Sequence, residues 1–280
     1  MPHSFSDIAP QMRSTDSSPL SYAVSERDRH VMDMVKEAIS SQNVLLAFQP
    51  VIQAARPEQP AFYEGLIRIL DGTGRIIPAK DFIEVIETSE TGRQIDCLAL
   101  RLGLETLAAN PGLRLSINMS ARSIGYRRWT EILHHGLKLG PTVAERLILE
   151  ITESSAMIMP DIVQAFMAEL QHRGITFALD DFGSGYTSFR YLRDFYFDIL
   201  KIDGQFIRGI HKSPDNQILA QALISIARHF EMFTVAEFVE TPEDAEFLTE
   251  IGIDCMQGYL FGAPTTQPHW TTSETNRQAG

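Results

Sequence analysis

Short apolar runs that end in a polar residue alternate with longer stretches of helical spacing through most of this chain. Val31, Met34, Val35 and Ala38 share one helical face, and Ser25-Glu-Arg-Asp28 ahead of them has the form of a capping box. Val44 to Ile52 reads as a strand that ends or bends at Pro50, because proline cannot donate to a ladder. Ala61 to Ile69 reads as a second strand, followed by a turn from Asp71 to Gly74. Helical patterns at 78–88 and 92–109 stop before Asn110-Pro-Gly.

From there strands and helices take turns. Strands are expected at 113–118, 147–151, 175–180, 199–202, 233–236 and around Asp254. Helices are expected near 128–138, 160–173, Phe189, 215–230 and 242–250. Such alternation predicts a parallel sheet with helical crossovers, and about eight strands in one domain suit a TIM-type (β/α)8 barrel better than an open sheet. Residues 1–24, rich in Ser and Pro, are expected to be disordered, with the barrel over 25–264 and a polar, loosely attached tail over 265–280.

The chemistry gathers at the strand ends. The run Ile175 to Leu179 stops at Asp180-Asp181, with Gly183 and Gly185 just beyond. Adjacent strand residues face opposite sides, so both acids can serve one ligand only if the strand has ended there. Two such acids repel unless a cation lies between them. Asn118, Glu150 and Glu237 stand at or near the ends of other strands, Lys201 lies in the strand at 199–202, and Glu64 interrupts an apolar strand. In a barrel these ends converge on one face. Five carboxylates and an amide among apolar neighbours need a counter-charge, and oxygen donors favour Mg²⁺ or Mn²⁺ over zinc. Room for two ions with a bridging carboxylate suggests phosphoryl hydrolysis.

Composition narrows the partners. The chain has 280 residues, a formal net charge of −12 and two cysteines. That charge argues against long nucleic acid as a ligand but admits a small anion held by a metal and local cations. Cys97 and Cys255 imply no disulfide framework, and no apolar run is long enough for a membrane span, so a cytoplasmic location is expected. No Gly-rich phosphate loop is present in the sequence. His134 and His135 read as surface or packing residues, Cys255 as a packed thiol, and Met232 and Met256 as core.

Glu64-Gly65-Leu66-Ile67-Arg68 resembles the signature of the EAL-domain phosphodiesterases of cyclic di-GMP. The likeness extends to Gln49-Pro50, Asn118-Met-Ser120, Glu150-Ile-Thr-Glu153, Asp180-Asp-Phe-Gly-Ser-Gly-Tyr186, Leu200-Lys201-Ile-Asp203, Ala236-Glu237 and Gln257-Gly-Tyr259, over residues 28–264. It implies a modified TIM barrel that hydrolyses cyclic di-GMP to linear pGpG in bacterial signalling. Glu64, Asn118, Glu150 and Asp180 would hold one ion, and Asp180, Asp181 and Glu237 the second. Lys201 would help activate the attacking water, its pKa lowered beside the metals. The other role weighed for Lys201 is charge partner of Asp203 or Asp181. Arg68 would grip a phosphate, Gln49 and Gln257 would orient substrate or water, and Glu153 would support the loop from Asp181 to Tyr186. A plain helix cap is the alternative for Glu153.

Calcium is expected to inhibit, because it prefers longer bonds and more ligands than Mg²⁺. Regulation is expected through residues 1–24, a homodimer or a partner protein. Three residues depart from the family pattern: Gly65 for alanine, Phe238 for glycine, and Tyr196 for a common proline. Phe238 puts a bulky neighbour beside Glu237. The competing readings are a non-catalytic receptor of the same fold and a barrel hydrolase acting on another phosphodiester.

Overall fold

The alternation of strands and helices folds as a closed ring in the computed structural model, which describes residues 19–184 and 189–270. Helix α1 (Pro19–Ser40) leads into a long hairpin, β1 (Val44–Gln53) and β2 (Arg56–Leu70), followed by a short β3 (Ile76–Pro78). Helices α2 (Ile83–Ile86) and α3 (Glu90–Ala109) precede β4 (Leu115–Asn118). Helices α4 (Arg127–Gly136) and α5 (Val143–Arg146) precede β5 (Leu147–Thr152). Helices α6 (Glu153–Ile158) and α7 (Pro160–Gln171) precede β6 (Thr176–Phe182), and α8 (Phe189–Asp194) precedes β7 (Ile199–Ile202). Then come α9 (Gly204–Ile207), α10 (Pro214–His229), β8 (Phe233–Ala236), α11 (Pro242–Glu250) and β9 (Cys255–Gln257).

The sheet order is β1-β9-β8-β7-β6-β5-β4-β2, and β1 also pairs with β2, so eight strands close on themselves. Strands β2 and β4 to β9 run parallel to one another around the ring, whereas β1 is antiparallel to both β2 and β9. This is the TIM-type barrel that the alternation predicts, with the modification that the resemblance implies carried by the antiparallel β1. β3 lies outside the ring on the edge of β2. The parallel strands are apolar because helices cover their outer faces, and buried Ile95, Leu100, Leu104 and Leu107 of α3 show how that cover is made. Among the described residues no helix is long and apolar enough to cross a membrane.

The barrel interior is layered. Val51, Phe62, Ile148, Ala178, Ile199, Val235 and Cys255, one from each of seven strands, form a separate apolar cluster. Side chains two apart on a strand share a face. The next inward position from each of these residues is Gln49, Glu64, Glu150, Asp180, Lys201, Glu237 and Gln257, in that order, all of them buried. The antiparallel β1 is read backwards in this series. A polar floor therefore rests on an apolar plug, and every residue on the floor was a site candidate.

Several expectations change. The first helix begins at Pro19, so residues 19–24 are helical and the expected start at Ser25 falls inside α1; residues 1–18 lie outside the described residues. β1 does not stop at Pro50 but runs to Gln53, with register shifts at Val51/Ile52 and Ile52/Gln53. Pairing with β9 starts only at Val51, so the missing N–H of Pro50 falls beyond that ladder. Residues 265–270, the start of the expected tail, pack on the barrel. Thr265 and Phe48 exchange backbone hydrogen bonds of 3.1 and 2.8 Å, and the Trp270 ring lies 4.6 Å from Tyr63 and 5.4 Å from Phe48. Residues 271–280 lie outside the described residues.

Candidate metal centre and cleft

Lys201 is the hub of the polar floor. It is fully buried, and its Nζ lies 2.7 Å from Glu150, 2.8 Å from Asp180, 2.9 Å from Glu237 and 3.6 Å from Glu64. Asp203 and Asp181, the partners weighed for it in sequence, are not these four. Asp203 instead caps α9 by accepting from the Gln205 N–H. Burial pulls the Lys201 ammonium's pKa down, but Asp180, Glu150, Glu237 and Glu64 outweigh it, so the pKa is raised well above the ordinary lysine value. Without a metal ion beside it, the Lys201 ammonium is thus held in its charged form by the four carboxylates facing it.

The carboxylates divide by their other partners. Glu64 accepts from Asn118 Nδ2 at 2.7 Å and from Gln257 Nε2 at 2.6 Å. Burial pushes Glu64 up, yet Lys201 and the two amides outweigh that and hold its pKa below the usual carboxylate value. Glu150 has no amide to help it. Burial, with Glu64 and Asp180 nearby, lifts it to about 8 despite Lys201. Burial also raises Glu237 well above the usual value, with Asp180 and Glu64 adding to it. Gln49 donates to the Gly262 carbonyl at 3.1 Å and accepts from Gln257 at 3.2 Å, which ties β1 to β9.

Asp181 reaches the site by an unusual backbone. Its φ of 54° lies in the left-handed region, and the β6–β7 register shifts between Leu179 and Phe182. The regular pleat breaks there, so Asp180 and Asp181 no longer point to opposite sides. Oxygens of Asp180, Asp181 and Glu237 all come within 4.8 Å of one another. Asp181 is half-buried, and burial together with Asp180 raises its pKa to about 6. The turn behind it is held by Glu153, whose Oε2 accepts from Gly183 N at 3.1 Å, and by Gln205, which donates to the Gly183 carbonyl at 2.8 Å. Gly183 has φ of 97°, and a Cβ there would collide with the Phe206 ring. Glu153 is not the cap of α6; Thr152 is, accepting from Ser155 N. Gly185 and Tyr186 lie outside the described residues.

A cleft of about 510 Å³ opens over the floor, lined by Glu64, Arg68, Asp181, Glu237, Phe238 and Tyr259 among others. Burial lowers the Arg68 pKa, with Glu64, Tyr259 and Asp81 opposing, and Nη1 donates to its neighbour's carbonyl, Ile67 O, at 2.9 Å. Tyr259 and Glu240 line the cleft without having been assigned a role from sequence; the first stood inside a quoted motif, but no periodicity marks the second. Of the departures, Gly65 has a local reason: a Cβ there would lie 2.7 Å from Ile117 Cδ1, so the isoleucine occupies the space of an alanine methyl. Tyr196 is exposed, and its carbonyl accepts from Gln171 at 2.7 Å. His134 is on α4 beside Leu137 and Lys138, away from this cleft. Cys255 is a buried member of the apolar plug, its thiol pushed up to about 12 by burial. Met232 and Met256 are core residues.

The donor set fits hard divalent cations. All the donors are oxygens, and the three closest acids come from the end of β6 and the residue just after β8. Glu150 Oε1 is buried with no hydrogen-bond partner, and Asp180 Oδ1, although 2.8 Å from Lys201, makes no aligned hydrogen bond. Burial raises the pKa of Glu150 to about 8 and that of Glu237 well above the usual carboxylate value, so a cation binding there competes with protons.

Comparison with known proteins agrees with this architecture. The EAL domain family model matches residues 32–264. The cyclic di-GMP phosphodiesterase PdeF of Escherichia coli is 34% identical over 239 residues, 84% of this chain and 32% of that protein. The present chain thus spans about a third of the length of the curated relatives it matches. An EAL domain protein from Listeria monocytogenes superposes with a TM-score of 0.74 at 27% identity, covering 88% of this chain and 96% of that one. The PaMucR phosphodiesterase, solved in complex with c-di-GMP, also gives 0.74 at 27% identity, covering 87% of this chain and 99% of that one.

Proposed function

Since the chain belongs to the EAL-domain family, we propose that it is a metal-dependent phosphodiesterase that opens cyclic di-GMP to linear pGpG. The observation that carries this reading is the convergence of Asp180, Asp181 and Glu237 oxygens within 4.8 Å, in the floor of a cleft that Arg68 also lines. Glu64, Asn118, Glu150 and Asp180 would hold one Mg²⁺ or Mn²⁺, and Asp180, Asp181 and Glu237 the other. Two such ions would supply Lewis-acid activation of a phosphoryl oxygen and of water.

The chain's own residues do the rest. Arg68, a planar fork of donors beside the floor, grips a non-bridging phosphate oxygen. Lys201, anchored by four carboxylates, would contact the attacking water and help activate it. Gln49 and Gln257 hold Glu64 and the β1–β9 seam in place, so the floor does not rearrange as charge builds on the phosphate. Water forms a new bond to one phosphorus in line as the bond to the 3′ oxygen breaks; the water's proton passes to a carboxylate of the floor, and the departing 3′ oxygen takes up a proton from solvent. Opening the ring removes the shape that held both guanines, so the linear product leaves before a second cut. A cytoplasmic location and regulation through a homodimer or partner protein belong to the same reading.

The test is chromatography of an early time course with cyclic di-GMP and Mn²⁺ or Mg²⁺. pGpG alone should accumulate first, and Ca²⁺ as the sole divalent ion should suppress it. GMP from the outset, or full activity with Ca²⁺, counts against the reading. Tight binding without cleavage would select the receptor alternative.

A further inference from the structure

Phe238 follows Glu237 directly and takes a backbone φ of 56°, the left-handed region in which a ring-bearing residue is strained. Such conformations persist only where the surroundings impose them, and here three neighbours do. Gly204, the first residue of α9, packs so close that a Cβ there would strike the Phe238 ring. Arg208, just past the end of α9, sets its guanidinium carbon 4.1 Å from the ring centroid. Val239 next along donates its N–H to the Gln257 carbonyl at 2.9 Å. The ring so held is not buried: it is 44% exposed and lines the same cleft as Arg68 and Glu237. Packing alone would have hidden it.

We propose that Phe238 is a stacking platform for a base of the substrate. Arg208 occupies one side of the ring and fixes its tilt, and the side turned to the cleft meets the base face to face. A flat π surface beside a phosphate-gripping arginine is what a nucleotide base recognises, since every base has a π-face. This rests on the cyclic dinucleotide reading above. An apolar ring supplies neither a metal ligand nor a proton, so Phe238 sets affinity and leaves the chemical step alone.

The experiment measures steady-state turnover of cyclic di-GMP with Mn²⁺, and equilibrium dialysis of cyclic di-GMP in EDTA, for the wild type, Phe238→Gly, Phe238→Ala, Phe238→Trp and Arg208→Ala. Phe238→Gly suits the positive φ, so it keeps the fold if Phe238→Ala does not. Loss of one base–aromatic stack should raise KM and Kd about tenfold in Phe238→Gly, with kcat within about threefold of wild type. Phe238→Trp should stay within about twofold of wild type in both constants, and Arg208→Ala should show a smaller rise than Phe238→Gly. KM and Kd within about twofold of wild type in Phe238→Gly would overturn the proposal, as would a kcat collapse at unchanged Kd, which would mark Phe238 as holding Glu237 in position. A wild type that neither binds nor cleaves the dinucleotide would reject the phosphodiesterase reading and this one together. Wild-type turnover with unaltered variants rejects the stacking role alone.

Discussion

Two layers of the barrel interior lie on the same faces of the same strands, two residues apart, and are built from opposite chemistry. The lower one, Val51, Phe62, Ile148, Ala178, Ile199, Val235 and Cys255, is apolar. The upper one sets Glu64, Glu150, Asp180 and Glu237 around a single buried Lys201. A buried aliphatic side chain contributes on the order of 1.5–3 kcal/mol, so the plug is a source of stability. Ions of the upper layer each lose several kcal/mol of hydration, and one lysine shared among four carboxylates does not repay them. The raised pKa values of Glu150 and Glu237 express that deficit. The plug thus supports a layer that would not fold by itself, and the uncompensated charge of that layer is what gives it affinity for cations.

The contrast can be broken most sharply from above. Asp180→Asn removes the charge that both proposed metal positions share, and kcat should fall on the order of a thousandfold or more, since several kcal/mol of charge stabilisation is lost. Near-normal rates at saturating Mn²⁺ would break the two-metal account.

Next in size is Lys201→Met, which leaves four buried carboxylates facing one another. In EDTA the variant should lose about 3–5 kcal/mol of stability, and Mn²⁺ should restore more of its thermal midpoint than it adds to the wild type. An unchanged melting curve in EDTA would mean that the upper layer needs no counter-charge.

The lower layer should answer differently. Ile148→Ala, two residues before Glu150, should cost about 2–4 kcal/mol in denaturant unfolding, with kcat within about threefold of wild type. A collapse of kcat without loss of stability would erase the division of labour between the layers.

The smallest effect is expected at the rim. Glu153→Ala frees the Gly183 N–H that Glu153 now binds. Mn²⁺ affinity, read by titration calorimetry, should weaken roughly tenfold, as for other groups that orient a metal ligand. Unchanged affinity and activity would leave Glu153 a buried packing acid only.

Local pattern alone determined a good part of this molecule. Apolar runs of strand length alternating with helical spacing predict the parallel ring, because the period of a side-chain pattern is a property of neighbours in sequence. The run at 233–236 and the helix at 242–250 have the same bounds in the fold. The acids of the floor were legible for the same reason, each a polar residue in an otherwise apolar strand.

What needed the tertiary structure was whatever depends on residues far apart in the chain. Ring closure by an antiparallel β1, the passage of β1 through Pro50, and the docking of Thr265 and Trp270 are pairings between distant segments. The turn that follows Asp181 is held at Gly183 from outside, by Glu153, Gln205 and the Phe206 ring. The gathering of Glu64, Glu150, Asp180 and Glu237 around Lys201 brings together side chains from four separate segments, which no local pattern places side by side. Periodicity is short-ranged and can be read along the chain; electrostatic sums and steric seats, such as the one Gly204 and Arg208 make for Phe238, exist only once the strands have closed.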